Sequence, residues 1–373
     1  MTSAMSSFLR LIYGLGMMIA AMAVISSPQS VRAQINAYIL TDISADDATQ
    51  VPCRLNNFGD LVGRGSRGAV AAQIQATVWS RSSLAKKHLG VFGGGDYSLG
   101  TGINDTGEVT GASNTGTEMV PFLWTATGRL KRIPLLPGDN CGQASSINRY
   151  GHVVGYSSGH SGARAFFWGR NGSIRQLATL PGGDYSKARD LNDHDEIVGT
   201  SGSSAGERAV LWAKTGTVSD LGTLPGDYAS ESIAINNNGD VVGYSKGPGG
   251  MRAFLWNKTA GMQAIGVLPG RDSSRALAIN DLGEVVGSST GASGDHAFIW
   301  TKQDGMVDLN NASSADLSIV LFEAHAINNK GQIIAMGESN REITIDAVSG
   351  ASVHEDCAPA PSAAFLLTPI VAQ

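Results

Sequence analysis

The chain has 373 residues, 27 basic against 32 acidic, with 48 glycines, three cysteines and a formal net charge of −5. That balance excludes a nucleic-acid partner gripped by a basic patch. The glycines are spread evenly, without the three-residue period of collagen, so they mark turns, and many turns imply many short strands.

Residues 1–33 read as an export signal and are set apart from the fold. Arg10 is the only charge ahead of an apolar run from Leu11 to Ile25, which suits a signal core and falls short of the roughly 20 residues of a membrane span. A polar stretch, Ser26–Ser30, leads into Val31, Arg32 and Ala33, whose outer two residues suit a signal peptidase, so cleavage is expected after Ala33. The alternative is an uncleaved N-terminal anchor. With Arg10 and Arg32 removed, the mature chain would carry 25 basic and 32 acidic residues. It is expected to be secreted or periplasmic, with no membrane span.

Beyond the signal, the first short apolar runs are Ala37–Ile43 and Gln50–Leu55, and then one unit repeats. Asn56, Asn104, Asn148, Asn192, Asn236, Asn280 and Asn328 recur at spacings of 48, 44, 44, 44, 44 and 48 residues. Trp79, Trp124, Trp168, Trp212, Trp256 and Trp300 keep step with them. Within one unit, Gly239–Asn280, the runs Asp240–Tyr244, Arg252–Trp256, Met262–Val267 and Arg275–Ile279 are divided by Gly, Pro, Asn, Asp or Ser, the grammar of strands and turns. Ala253-Phe254-Leu255-Trp256 is apolar on both faces of a strand and needs cover on both sides, which stacked sheets supply.

A unit of this length holding four strands predicts an all-β fold, a β-propeller. Ala37–Ile43 resembles the third run of the unit, Gln50–Leu55 the fourth, and Glu342–Val348 stands where the second belongs. Seven four-stranded antiparallel blades are therefore expected over residues 34–348, with one blade assembled from both termini so that no sheet edge stays free. An open β-solenoid, or a six-bladed ring with an appended hairpin, are the competing architectures. The Ala/Ser/Pro-rich tail, residues 349–373, is read as an extension outside the propeller.

Each recurrent asparagine precedes a glycine by three residues, at Gly59, Gly107, Gly151, Gly239, Gly283 and Gly331, with Asp195 in the fourth copy. A tight hairpin needs positive φ there, and the asparagine can bond its own backbone, so all seven read as turn builders. A second loop brings round Asp96, Asp139, Asp184, Asp227 and Asp272. These could bind Ca²⁺ as a circle of carboxylates, although each loop offers one acid, which favours a turn carboxylate accepting backbone N–H groups. The tryptophans end strongly apolar strands and read as core, each indole N–H finding one partner, in preference to sugar-stacking platforms. If the two ends meet in space, Cys53 and Cys357 are the natural disulfide pair, a long loop whose closure is worth roughly 4 kcal/mol, with Cys141 left over; three unpaired thiols are the alternative. The seven histidines fall at unrelated positions of the repeat, and no metal, nucleophile or phosphate-loop motif stands out.

The strand His296-Ala297-Phe298-Ile299-Trp300, taken with the Ala-Ile-Asn plus Gly-x-Val-Val-Gly hairpin, resembles the HAF repeat of bacterial extracellular proteins. The first letter varies: Arg164, Arg208 and Arg252 replace the histidine, while Val120-Pro121-Phe122 and Ala76-Thr77-Val78 depart further. The resemblance spans about residues 37 to 348 and implies export and a propeller-like repeat, but no catalytic residues.

The expectation that follows is a monomeric, non-enzymatic binding module that uses a rim or the axial depression to hold a protein or glycan, with no cofactor. The alternatives are a secreted hydrolase or lyase with its acids on axial loops, and a structural or adhesive surface protein.

Overall fold

The computed structural model describes residues 38–44, 49–66, 73–125, 127–312, 319–339 and 363–370. Among them are twenty-eight strands, β1–β28 in chain order, and one helix, α1 (Leu309–Ala312). The strands form seven separate four-stranded sheets, every neighbouring pair antiparallel. In the fifth blade the order is β18 (Ala229–Ile235), β19 (Val241–Gly247), β20 (Gly250–Asn257) and β21 (Gly261–Ala264), from the axis outward. The other innermost strands are β2 (Val51–Leu55), β6 (Ser98–Ile103), β10 (Asp139–Ile147), β14 (Ser186–Leu191), β22 (Ser273–Ile279) and β26 (Ile319–Ile327).

Because the second and third strands are apolar on both faces, each sheet must be covered twice, and the cores lie between blades. One cluster joins Val154 and Ala165 of the third blade to Ile197, Val210 and Trp212 of the fourth. Another joins Val286, Ala297 and Ile299 of the sixth to Leu321, Phe365 and Leu367 of the seventh. Serines stitch the same seams: Ser186, Ser230 and Ser274 Oγ each accept the backbone N–H of an alanine in the preceding blade, at 2.9–3.0 Å.

The seventh blade closes the ring, and it corrects the sequence reading. Its order is β26, β27 (Ile333–Ser339), β28 (Ala363–Pro369) and β1 (Tyr38–Asp42), so the outermost strand comes from the N-terminus as expected. The place assigned to Glu342–Val348, a segment outside the described residues, is filled by β28. The propeller therefore runs past residue 348 to Pro369, and the tail read as an extension carries a blade strand. The physical reason is burial. A third strand is enclosed on both faces, and Ala363-Ala364-Phe365-Leu366-Leu367 is buried throughout, whereas Glu342-Ile343-Thr344-Ile345-Asp346 alternates polar and apolar residues.

Candidate functional site

Each innermost strand ends at a recurrent asparagine. Asn236 Oδ1 accepts the N–H groups of Asn238 (3.0 Å) and Asp240 (2.9 Å), which builds the turn. Gly239 sits at φ +80°, where glycine meets no Cβ penalty, and Asp195 takes the same place in the fourth blade at φ +61°. A second role is not visible in the sequence. Asn236 Nδ2 donates to the Asn280 carbonyl of the next blade, and the same bond runs from Asn56 through Asn104, Asn148 and Asn192, and from Asn280 to Asn328 and back to Asn56, at 3.0–3.2 Å. Seven asparagines thus form a closed ring around one mouth of the axial channel, above a collar that includes Leu55, Ile103, Ile147 and Ile279.

Three residues before each asparagine the innermost strand carries a β-bulge. The bulge presses a carbonyl onto the second strand. A Cβ at Gly243 would lie 2.0 Å from the Glu231 carbonyl oxygen, and Gly63, Gly111, Gly155, Gly199 and Gly287 meet the equivalent oxygen at 1.9–2.1 Å. The recurrent Val-Val-Gly of the second strand follows from this close approach.

The out-of-register residues are Cys53, Thr101, Ser145, Arg189, Ile233, Leu277 and His325, all unlike. Ser145, Arg189, Ile233, Leu277 and His325 line a cavity of about 190 Å³ on the axis. Glu231, Arg275 and Glu323, two residues earlier in their strands, line it too, with Arg54 and Tyr244. Two residues beyond the bulge a Leu or Ile recurs in all seven copies, whereas these positions change from copy to copy. Sequence reasoning searched for motifs along the chain and missed them; reading each repeat position down the seven copies would have found them.

The cavity's charges are organised in two groups. Arg189 Nε and Nη2 both lie 2.8 Å from Glu231 Oε1, and the Tyr244 hydroxyl donates to Glu231 Oε2 at 2.6 Å. Arg275 Nη2 lies 2.8 Å from Glu323 Oε2, and His325 Nε2 lies 3.0 Å from Glu323 Oε1. Burial alone would raise the Glu323 carboxyl, but His325 and Arg275 outweigh it and hold the group below the usual carboxylate range. Burial, and then Glu231, push the Tyr244 hydroxyl far above its ordinary value. Arg54 Nη1 donates to the Cys53 carbonyl at 3.0 Å. Deeper in, Asp190 accepts from Ser146 Oγ (2.7 Å), Leu191 N (2.9 Å) and Ile235 N (3.0 Å), and its burial still raises its pKa. Three buried polar atoms of the cavity, Ser145 Oγ, Arg275 Nε and His325 Nε2, have no hydrogen-bond partner among the described residues, although His325 Nε2 lies within ion-pair distance of Glu323.

The five loop aspartates do not converge. Asp139 pairs with Arg164 Nη2 (2.7 Å) and accepts the Ser157 hydroxyl, Asp227 pairs with Arg252 Nη2 (2.8 Å), and Asp96 accepts Asn114 Nδ2 (2.6 Å). Asp184 lies two residues before β14 and Asp272 immediately before β22, in separate blades. At Asp139, Asp227 and Asp96 the partners are side chains, not the turn N–H groups expected. Among the described residues no group of three or more His, Cys, Asp or Glu is arranged to hold a metal ion, and these loops give the Ca²⁺ reading no support. Arg164 and Arg252 are variant first letters of the Ala-Phe motif, and His296 at that place pairs with Asp308 at 2.6 Å. In these three blades the variable letter is a side-chain anchor.

Trp79, Trp124, Trp168 and Trp212 are buried, and Trp256 and Trp300 are half-buried against inter-blade clusters. They are core. Trp212 Nε1 donates to the Ala178 carbonyl at 2.7 Å, but Nε1 of Trp79 and of Trp168 have no acceptor among the described residues, against the expectation of one partner each. Cys53 is disulfide-bonded and Cys141 is free; Cys357 and the cleavage site after Ala33 lie outside the described residues. Among those residues no helix is long and apolar enough to cross a membrane.

No family model and no curated protein matches the sequence. Solved structures do. A streptogramin B lyase is 13% identical, with a TM-score of 0.54 over 88% of this chain and 97% of that one. Virginiamycin B lyase from Staphylococcus aureus is 12% identical, with a TM-score of 0.52 over 89% and 99%. YCF48 bound to a D1 peptide is 13% identical, with a TM-score of 0.51 over 90% and 96%. At such identity the likeness is one of fold, and the chain is a seven-bladed β-propeller.

Proposed function

We propose that this chain is an exported, HAF-repeat-like binding propeller that takes its ligand in the axial cavity beneath the bulges. The observation that carries the reading is that side chains differ from copy to copy where they face the axis, while the surrounding scaffold repeats. A scaffold needs only its own repeat; a site needs unlike groups meeting at one place. A solved propeller-like neighbour bound to a peptide shows a binding use of a similar shape, and a protein or glycan segment reaching into the cavity is the corresponding ligand here. Screening the mature protein against envelope proteins and glycans tests the reading, with Leu277→Trp as the blocked control. Binding that ignores the plug would overturn it. N-terminal sequencing of the exported protein should begin at Gln34.

A specific observation also favours an enzyme. Glu231, Glu323, His325 and Tyr244 are titratable groups gathered in one cavity, and propeller lyases are among the structural neighbours. The acids sit on innermost strands, not on axial loops, and each is already engaged by arginine. Turnover of any ester, amide or lactone that is abolished by His325→Ala would establish this second reading.

A further inference from the structure

We infer that the ligand group seated in the axial cavity is an organic carboxylate with an apolar substituent, held by Arg54, Ser145 and the free Nε–H of Arg275. The inference rests on the axial-site reading and adds the chemistry of the ligand.

The cavity's own acids have no capacity left for a cation. Glu231 is taken by Arg189 and Tyr244, and Glu323 by Arg275 and His325. The donors, in contrast, are in surplus. Three arginines face two glutamates along the cavity wall, and Arg54, whose charge also acts on the buried Asp190, has for its hydrogen bond only a neutral carbonyl. The next carboxyl inward, Asp190, is occupied by Ser146 and two backbone N–H groups. Ser145 is only 5% exposed, and its hydroxyl, like the Arg275 Nε–H, is buried without an acceptor. Buried donors of this kind are costly to leave unmade, and an incoming carboxylate offers two acceptor oxygens, which suit a guanidinium fork. Ile233 and Leu277 form the apolar part of the wall, so the group next to the carboxylate is hydrocarbon. At about 30 Å³ per water-sized unit the cavity admits roughly six such units. A short branched acid, or the last residue of a peptide, is of that size.

Titration calorimetry of the mature protein with N-acetyl-leucine, with a tetrapeptide ending in a free Leu carboxylate, and with the C-terminal amide of each tests this. Both acids should bind at least tenfold more tightly than their amides. Arg54→Gln should weaken acid binding about tenfold, the scale of one charged hydrogen bond, and Ser145→Ala about threefold. The peptide binding much better than the amino acid would identify a chain terminus as the source; equal binding would identify a free small acid. Should Arg54→Gln fail to fold, Ser145→Ala alone decides. Acids and amides binding equally, yet losing affinity together in Leu277→Trp, would overturn the carboxylate and leave the axial site standing. Binding unaffected by Leu277→Trp would overturn both, and no binding of any probe overturns the carboxylate inference.

Discussion

Replacing Asn236 by Asp isolates the inter-blade bond from the turn it sits in. The carboxylate keeps the acceptor that serves Asn238 N–H and Asp240 N–H, so the hairpin stays supported. It loses the Nδ2–H that reaches the Asn280 carbonyl at 3.0 Å and Asp240 Oδ2 at 3.2 Å. An oxygen now faces a buried carbonyl and a second carboxylate. The lost bond is worth about 1 kcal/mol, and the stranded carbonyl and the like charge add about 1–2 kcal/mol, giving a destabilisation of about 2–3 kcal/mol at pH 7. Asn236→Ala, which also removes the turn acceptor, should cost about 1 kcal/mol more. Asn328→Asp, which breaks the bond from the last innermost strand to the first, should cost about 1 kcal/mol less than Asn236→Asp, because the side chain beside it, Gln332, is neutral. Guanidinium unfolding followed by tryptophan fluorescence measures all three. If Asn236→Asp unfolds within about 0.5 kcal/mol of the wild type, as an exposed polar change would, the ring does not hold the blades together.

Gly243→Ala should lose about 3 kcal/mol or more, because its new Cβ would lie 2.0 Å from the Glu231 carbonyl; a thermal melt within a degree of wild type would show that the bulge yields freely. Phe365→Ala should cost about 3–5 kcal/mol as a buried large-to-small change, and denaturation would show no such loss if this strand were not part of the core. In Asp195, burial works upward but His152 and Lys214 hold the carboxyl below its ordinary value. Its pairing therefore stabilises the fold above about pH 4 and fades as pH falls through the lowered pKa. Asp195→Gly relieves the positive φ yet should be about 1 kcal/mol less stable at pH 7, the gap closing in acid; a gap that persists at pH 2 would contradict this. Peptide mapping without reductant should recover Cys53 joined to Cys357 and Cys141 free to alkylate; any peptide linking Cys53 to Cys141 would refute the pairing.

Most of the architecture was legible because period, turn residues and two-sided apolar strands all express the same constraint. Gly239 and its counterparts announce positive φ, and Asp195 obeys the same rule. The seventh third strand escaped notice because Leu367 stands where the other blades have tryptophan. Its pairing gives it away, since Ile333 faces Leu367 as Val241 faces Trp256. The axial cavity was illegible for a different reason. A period-two reading of an innermost strand assigns Arg189 and Asp190 to opposite faces, but the bulge between Ala188 and Asp190 shifts the alternation. Pairs such as Arg275 with Glu323 lie 48 residues apart and meet only because the ring curves them together.

The seventh sheet sets an order on biogenesis. Its outer strand, Tyr38–Asp42, precedes every other described strand along the chain, and the strand between that one and Ile333–Ser339 follows them all. Six sheets can assemble as they emerge, but the circle stays open, with raw strand edges, until Ala363–Pro369 has been made. A nascent polypeptide is thus held in an unlocked state until that late strand pairs on both sides.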